Sequence, residues 1–143
     1  MAAIWKTPID LELVNKRNKN TLCEHLRIQF TAVGENSLQA IMPINSTVLQ
    51  PLGIMHGGAS CVLAETVGST AAYFCVDPQQ HYCVGLAINT NHIRSICKGI
   101  VTATATPSHL GRSTHVWGIE ICNEKEQLIS TTKLTMAVLN KKR

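Results

Sequence analysis

Residues 56–74 read HGGASCVLAETVGSTAAYF, and this stretch decides the fold. After the paired glycines, Ala59, Val62, Leu63, Ala64, Val67, Ala71 and Ala72 place apolar groups on nearly every face of a helix. A helix that is apolar all round belongs inside a protein and not on its surface. The apolar stretch continues to Val76 and approaches the length of a membrane span, but Glu65 and several hydroxyls interrupt it. A buried helix from about Ala59 to Phe74 is therefore expected.

On its N-terminal side, residues 43–56 are irregular, broken by Pro43, Pro51 and Gly53. Earlier, Glu24–Val33 alternates apolar and polar, Gly34-Glu35-Asn36 reads as a tight turn, and Leu38–Met42 returns as a second strand. Residues 8–16, PIDLELVNK, suit a short leading helix. Beyond the long helix come four strand-like runs, roughly 83–93, 99–106, 114–122 and 127–139, with Asn123–Glu126 as a hairpin turn between the last two. The expected fold class is α+β, with one domain over 1–143: an antiparallel sheet curled around a single central helix.

The chain has 143 residues, 45% hydrophobic and 15% charged, the balance of a folded domain. Its net charge of +4 is concentrated near the ends, at Lys16, Arg17 and Lys19 and at Lys141, Lys142 and Arg143. No basic face interleaved with aromatics appears, so nucleic acid is not an expected partner. Arg94, Lys98 and Arg112 are better placed to meet a small anionic ligand. The six cysteines show no C-x-x-C spacing and the first twenty residues no apolar leader, so a reducing cytoplasm is expected, with the cysteines as small buried hydrophobes. The histidines lack metal-binding spacing, and no metal is expected.

Glu65 is the only charged side chain between His56 and Phe74. Burial in so apolar a helix would raise its pKa toward neutrality, where a carboxylate is a better base. Ser69 lies one turn on, on the same face, and suits holding a water or a substrate oxygen. Its plainer reading is a hydroxyl bonded back to its own helix. His56-Gly57-Gly58 opens the helix, where unpaired backbone N–H groups and the positive dipole end meet, an arrangement suited to polarising a carbonyl. Alone, the two glycines are equally a tight turn. His56 suits a ligand-orienting donor or a helix cap, and Gln50 an amide donor from the preceding loop. Ser60 lacks the second glycine of a G-x-S-x-G elbow and is read as structural.

Taken together, Gly53–Ala72 (GIMHGGASCVLAETVGSTAA), Gly85–Arg94 (GLAINTNHIR), Pro107–Arg112 (PSHLGR) and Thr114–Leu139 resemble the hot-dog-fold acyl-CoA thioesterases of the phenylacetate-degradation type. The likeness covers nearly the whole chain and is strongest to the branch of the 1,4-dihydroxy-2-naphthoyl-CoA and enterobactin-proofreading thioesterases. It implies hydrolysis of an acyl-CoA, with an aromatic or medium-chain acyl group, by Glu65 as nucleophile or general base. It further implies that the Gly57 N–H polarises the thioester carbonyl, that Gln50 and His56 assist, and that Ser69 helps place the water. By the same likeness, Asn91, His92, Arg94, His109, Leu110, Gly111 and Arg112 bind coenzyme A, which enters as part of the substrate, with no separate cofactor. Sites shared across a dimer are implied too, with Gln50, His56 and Gly57 from one subunit and Glu65 and Ser69 from the other, and two dimers forming a homotetramer. No membrane partner is implied. One departure is Ala87, where relatives often carry Glu. The competing readings are a non-catalytic acyl-CoA-binding hot-dog module and a hot-dog dehydratase, whose H-x-x-x-G-x-x-P-G motif is missing here.

Overall fold

The computed structural model describes residues 2–142, so Met1 and Arg143, the last of the closing basic residues, lie outside it. The leading helix is α1, Leu11–Arg17, capped by Asp10, whose Oδ1 accepts from the N–H groups of Glu12 (2.9 Å) and Leu13 (3.3 Å). A second, one-turn helix, α2, occupies Leu22–His25, where the alternating pattern called for strand. The signal for it is Thr21-x-x-Glu24. The Glu24 carboxylate reaches back to the Asn20 N–H (2.6 Å), a relative of the capping box, and Arg27 at φ +56° ends the turn.

The strand β1 therefore starts late, at Gln29, and runs to Val33. It pairs with β2, Leu38–Ile44, across the expected Gly34 turn, which the Gly34 N–H closes on Ser37 O (2.8 Å). Asn15 ties α1 to this hairpin by acting as a surrogate strand. Its amide donates to Phe30 O (3.0 Å) and its Oδ1 accepts from Phe30 N–H (2.8 Å).

The central helix, α3, spans Gly57–Phe74 and takes in both glycines. It is followed by β3 (His81–His92), β4 (Gly99–Leu110), β5 (Thr114–Cys122) and β6 (Leu128–Asn140). The turn between β5 and β6 is held by Asn123, whose Oδ1 accepts from Lys125 N–H (3.0 Å) and Gln127 N–H (2.9 Å). All six strands form one antiparallel sheet in the order β1-β2-β4-β5-β6-β3, and α3 packs against β2 through β6. This is the sheet wrapped on one long helix that the sequence resemblance implied. Gly68 permits the close approach, because a methyl group there would stand 2.6 Å from Leu134 Cδ2.

Two expectations about burial are corrected. The helix is not covered on every side. Leu63, Ala64, Val67, Ala71 and Ala72 are sealed against the sheet, while Val62, Glu65, Thr66, Ser69 and Tyr73 are only half-buried. The reason is that a single sheet covers only one side of the cylinder. Of the cysteines only Cys75 is buried, and Cys97 is exposed; all six are free thiols.

Two bulges set which side chains face the helix. In β3 the pairing slips between Gly85 and Ala87, leaving Leu86 as the extra residue. Cys83 and Gly85 face α3 before it, and Ile88, Thr90 and His92 after it, opposite the inward Leu134, Thr132 and Ser130. A regular strand would have turned His92 outward. In β4 the slip at Ser108 likewise turns Leu110 inward, opposite buried His115.

His115 is 3% exposed, and its Nδ1 finds no partner among the described residues. Burial, with a smaller contribution from nearby His109, pushes its pKa below the ordinary 6.5. The unfolded chain therefore takes up a proton that the folded chain resists. The contribution of neutral His115 to stability is complete above 6.5 and is lost as pH falls through the lower folded value. Urea denaturation at a series of acidic pH values should show this loss in the wild type and a flatter profile in His115→Leu.

Candidate active site

The sequence-predicted residues fall in three places. The first is a cleft of about 250 Å³ at the entrance of α3, lined by Gln50, Met55, Gly57, His92 and Arg94, among others. The Gln50 loop closes on itself: the Gln50 N–H donates to Ile54 O (2.9 Å) and the Gly53 N–H to Gln50 O (2.8 Å), with Gly53 at φ +79°. The Gln50 Oε1 accepts from the Leu52 N–H, which leaves the side-chain NH₂ as its free, donating end.

His56 is the N-cap of α3, and its Nδ1 accepts from the Gly58 N–H (2.8 Å). A ring that accepts at Nδ1 carries its proton on Nε2, so His56 presents a donor outward. Around it, Met55 N–H donates to Ile96 O (2.7 Å), His56 N–H to Val48 O (2.8 Å) and Ala59 N–H to His56 O (2.9 Å). The Gly57 N–H alone in this run has no acceptor among the described residues. His92 lies over Gly57, its Nε2 standing 2.8 Å from where a Cβ would be. The cleft thus collects donors and a cation, with no carboxylate in its lining.

The second place is mid-helix. Glu65 is eight residues beyond Gly57, about 12 Å along the axis. Its carboxylate rests on Gly85 of β3, where Oε1 occupies the space a methyl group would need, and it has no hydrogen-bond or ion-pair partner among the described residues. An uncommitted, half-buried carboxylate is available as a base or nucleophile. Ser69 lies one turn on and bonds back weakly, its Oγ to Thr66 O at 3.4 Å, a length a better acceptor would displace. Sequence reasoning missed Gly85 as the seat of Glu65, although an isolated glycine in a strand is a signal of bulge or close approach.

The third place is a groove of about 600 Å³ at the other end of α3, where Leu110, Gly111 and Arg112 meet Lys6, His81 and His115. Leu110 and His109 belong to β4 and not to a loop, and the bulge leaves His109 outside this lining. Asn91 is exposed on β3 and lines none of these clefts. Lys98 is exposed and likewise stands apart from all three places. Among the described residues, no group of three or more His, Cys, Asp or Glu could hold a metal, and no helix is long and apolar enough to cross a membrane.

A six-stranded sheet on one helix, opened by His-Gly-Gly and carrying a free mid-helix carboxylate, defines a class of protein. Residues 52–130 match the thioesterase superfamily, and the chain belongs to that family of thioester hydrolases. A crystal structure of a mutant of thioesterase PA1618 from Pseudomonas aeruginosa superposes with a TM-score of 0.96, at 46% identity, over 97% of this chain and 100% of that one. The chain is also 45% identical to the 1,4-dihydroxy-2-naphthoyl-CoA hydrolase of Escherichia coli, over 95% of this chain and 99% of the relative. To the proofreading thioesterase EntH of Cronobacter turicensis it is 40% identical, over 95% and 98%.

Proposed function

We propose that this protein hydrolyses acyl-coenzyme A thioesters, with aromatic or medium-chain acyl groups, in a site shared by two copies of the chain. The thioester carbonyl is polarised by the Gly57 N–H, with the Gln50 amide and the His56 Nε2–H assisting. Glu65 either takes a proton from water as the water adds to the carbonyl carbon, or adds to that carbon itself. In the first case the C–S bond breaks as Glu65 passes that proton to the departing sulfur. In the second the thiolate leaves an acyl-glutamyl anhydride, which water then hydrolyses to the free acid and the restored carboxylate, a water proton going to the thiolate. Ser69 helps to place the water. His92 and Arg94, with Asn91 beside them, and the stretch His109-Leu110-Gly111-Arg112 provide cations and donors for the phosphates of coenzyme A. A similar protein, the 1,4-dihydroxy-2-naphthoyl-CoA hydrolase of Escherichia coli, supports this substrate class, and the proofreading thioesterase EntH supports thioester hydrolysis.

The observation that carries the shared site is the separation of Glu65 from Gly57 along one helix, with no carboxylate lining the Gly57 cleft. A second observation supports it. The strand β3 is an unpaired sheet edge twelve residues long, with Tyr82, Val84 and Leu86 exposed at 39, 40 and 62%. Such an edge asks for a partner, and pairing two copies there brings each Glu65 toward the other's Gly57. Two such dimers assemble into a tetramer, and the compartment is the cytoplasm.

Subunit complementation tests this reading. Glu65→Ala removes the carboxylate from one half-site, and Gly57→Pro removes the N–H from the other; proline suits a first helical position, and the exposed His92 ring swings aside to admit its Cβ. Each variant alone should release almost no thiol from acyl-CoA. Co-expressed, they should recover about a quarter of the wild-type rate, because half the dimers are mixed and each of these has one intact site. No recovery would place the whole site within one chain. Tight binding of acyl-CoA by the wild type without thiol release would make the protein a binding module.

A further inference from the structure

Beyond Ser69, on the side away from Gly57, lies a cavity of about 240 Å³ that the reaction scheme leaves unused. Its walls are Ser69, Thr70 and Tyr73 of α3, Cys83 of β3, and Val14 and Arg17 of α1. The same two elements hold Glu65, since Cys83 is two residues before the Gly85 on which the carboxylate rests. The cavity therefore begins one helical turn, about 5 Å, past Glu65. In the shared site, a thioester whose carbonyl meets Glu65, and whose pantetheine leaves toward the partner copy, extends its acyl group along α3 past Ser69 and into this cavity. The volume is that of about eight water-sized groups, which suits a medium-length chain or one substituted ring.

The unusual wall is Arg17. Its guanidinium lies 5.6 Å over the centroid of the Tyr73 ring, directed onto α3 and away from its own helix end. It makes no ion pair; the one ion pair among the described residues joins Lys16 to Glu12 (2.9 Å) on the same helix. No carboxylate lines the cavity. The helix that carries Arg17 is also held in place. Asn15 binds both polar groups of Phe30, and the Asn18 side chain donates to Ile28 O (3.3 Å), so α1 is pinned to β1 on either side of it. A stacked, unpaired fork of donors, carried on a fixed helix and lining an acyl-sized cavity, matches a carboxylate in two parallel hydrogen bonds.

We propose that Arg17 is a specificity-determining residue, and that the preferred acyl group ends in a carboxylate, as in the monothioester of a dicarboxylic acid. This inference rests on the Glu65 reading for the direction in which the acyl group lies.

The test compares matched pairs: succinyl-, glutaryl- and adipoyl-CoA against butyryl-, pentanoyl- and hexanoyl-CoA, scored as the ratio of kcat/KM within each pair. The wild type should favour the carboxyl-ended member. In Arg17→Met the ratio should fall about 10–100-fold, mostly through KM, the range for a lost hydrogen-bonded charge pair. Arg17→Lys should recover part of it, keeping the charge but not the fork, and Arg17→Glu should reverse the preference. Arg17 is exposed, so these variants are expected to fold. A ratio that stays within about twofold across all four proteins would overturn the role of Arg17 while leaving thioester hydrolysis intact. No thiol release from either member of any pair, nor from benzoyl-CoA and octanoyl-CoA run alongside, would instead overturn the acyl-CoA hydrolase reading itself.

Discussion

Glu65→Gln is expected to lower kcat for thiol release by about 10²–10⁴-fold, the range for removing a positioned acid–base group, with KM changed far less. Gln keeps the shape and half-burial of the side chain and its contact with Gly85, but it can neither accept the proton of water nor add to the carbonyl. Because the carboxylate has no partner among the described residues, its neutralisation breaks no ion pair and leaves no buried charge unmatched. The variant should therefore keep the wild-type melting temperature and oligomeric state. Loss of turnover with both preserved is the expected result, measured by thiol release, thermal denaturation and light scattering. Turnover that survived the substitution would move the chemistry to another group.

The second large effect is on stability. Trp117→Ala is expected to cost about 3–5 kcal/mol, the range for deleting a large buried aromatic side chain. Only six aromatic residues serve the whole chain, and Trp117 is fully buried on β5, between Pro107 of β4 and Leu134 of β6. Its ring meets His115 edge-on at 6.4 Å. The neighbours are strand residues tied into the ladder and cannot collapse into the space that alanine leaves. For a chain of this size the melting temperature should fall by about 10 °C or more, at fixed protein concentration so that assembly does not shift the reading. Trp117→Phe should cost much less. The indole N–H finds no acceptor among the described residues, so phenylalanine gives up ring area but no hydrogen bond. An equal cost for Phe and Ala would overturn the assignment of the loss to buried ring volume.

Both effects concern residues that the sequence exposes unequally. Glu65 stands out because it is the one charge in an apolar helix, a contrast visible in any linear reading. Trp117 is merely a tryptophan in a strand until its neighbours on β4 and β6 are known. The same division runs through the site. Gln50 and Gly57 could be picked out as candidates because helix entry and loop chemistry are local, and the structure brings both to one cleft, with His56 capping the helix beside it. Asn91 and His92 are adjacent in sequence and both suggest a ligand. Only the bulge at Leu86 turns His92 onto Gly57 and leaves Asn91 outside the cleft. The late start of β1 was also available locally, in Thr21-x-x-Glu24, but the alternation of apolar residues outweighed it.

By itself, then, the sequence determined the order of elements, the single apolar helix, the turns at Gly34 and Asn123, and the identity of the isolated carboxylate. Each of these depends on residues within a few positions of one another, where periodicity, capping and turn chemistry act. Only the tertiary structure decided that β3 crosses to the open edge beside β6, that the Glu65 carboxylate rests on Gly85, and that Arg17 lines a cavity with residues more than fifty positions away in sequence. Those features arise from pairing and packing between distant segments, where a slip of one residue reverses which side chains face the helix, and no local pattern records that choice.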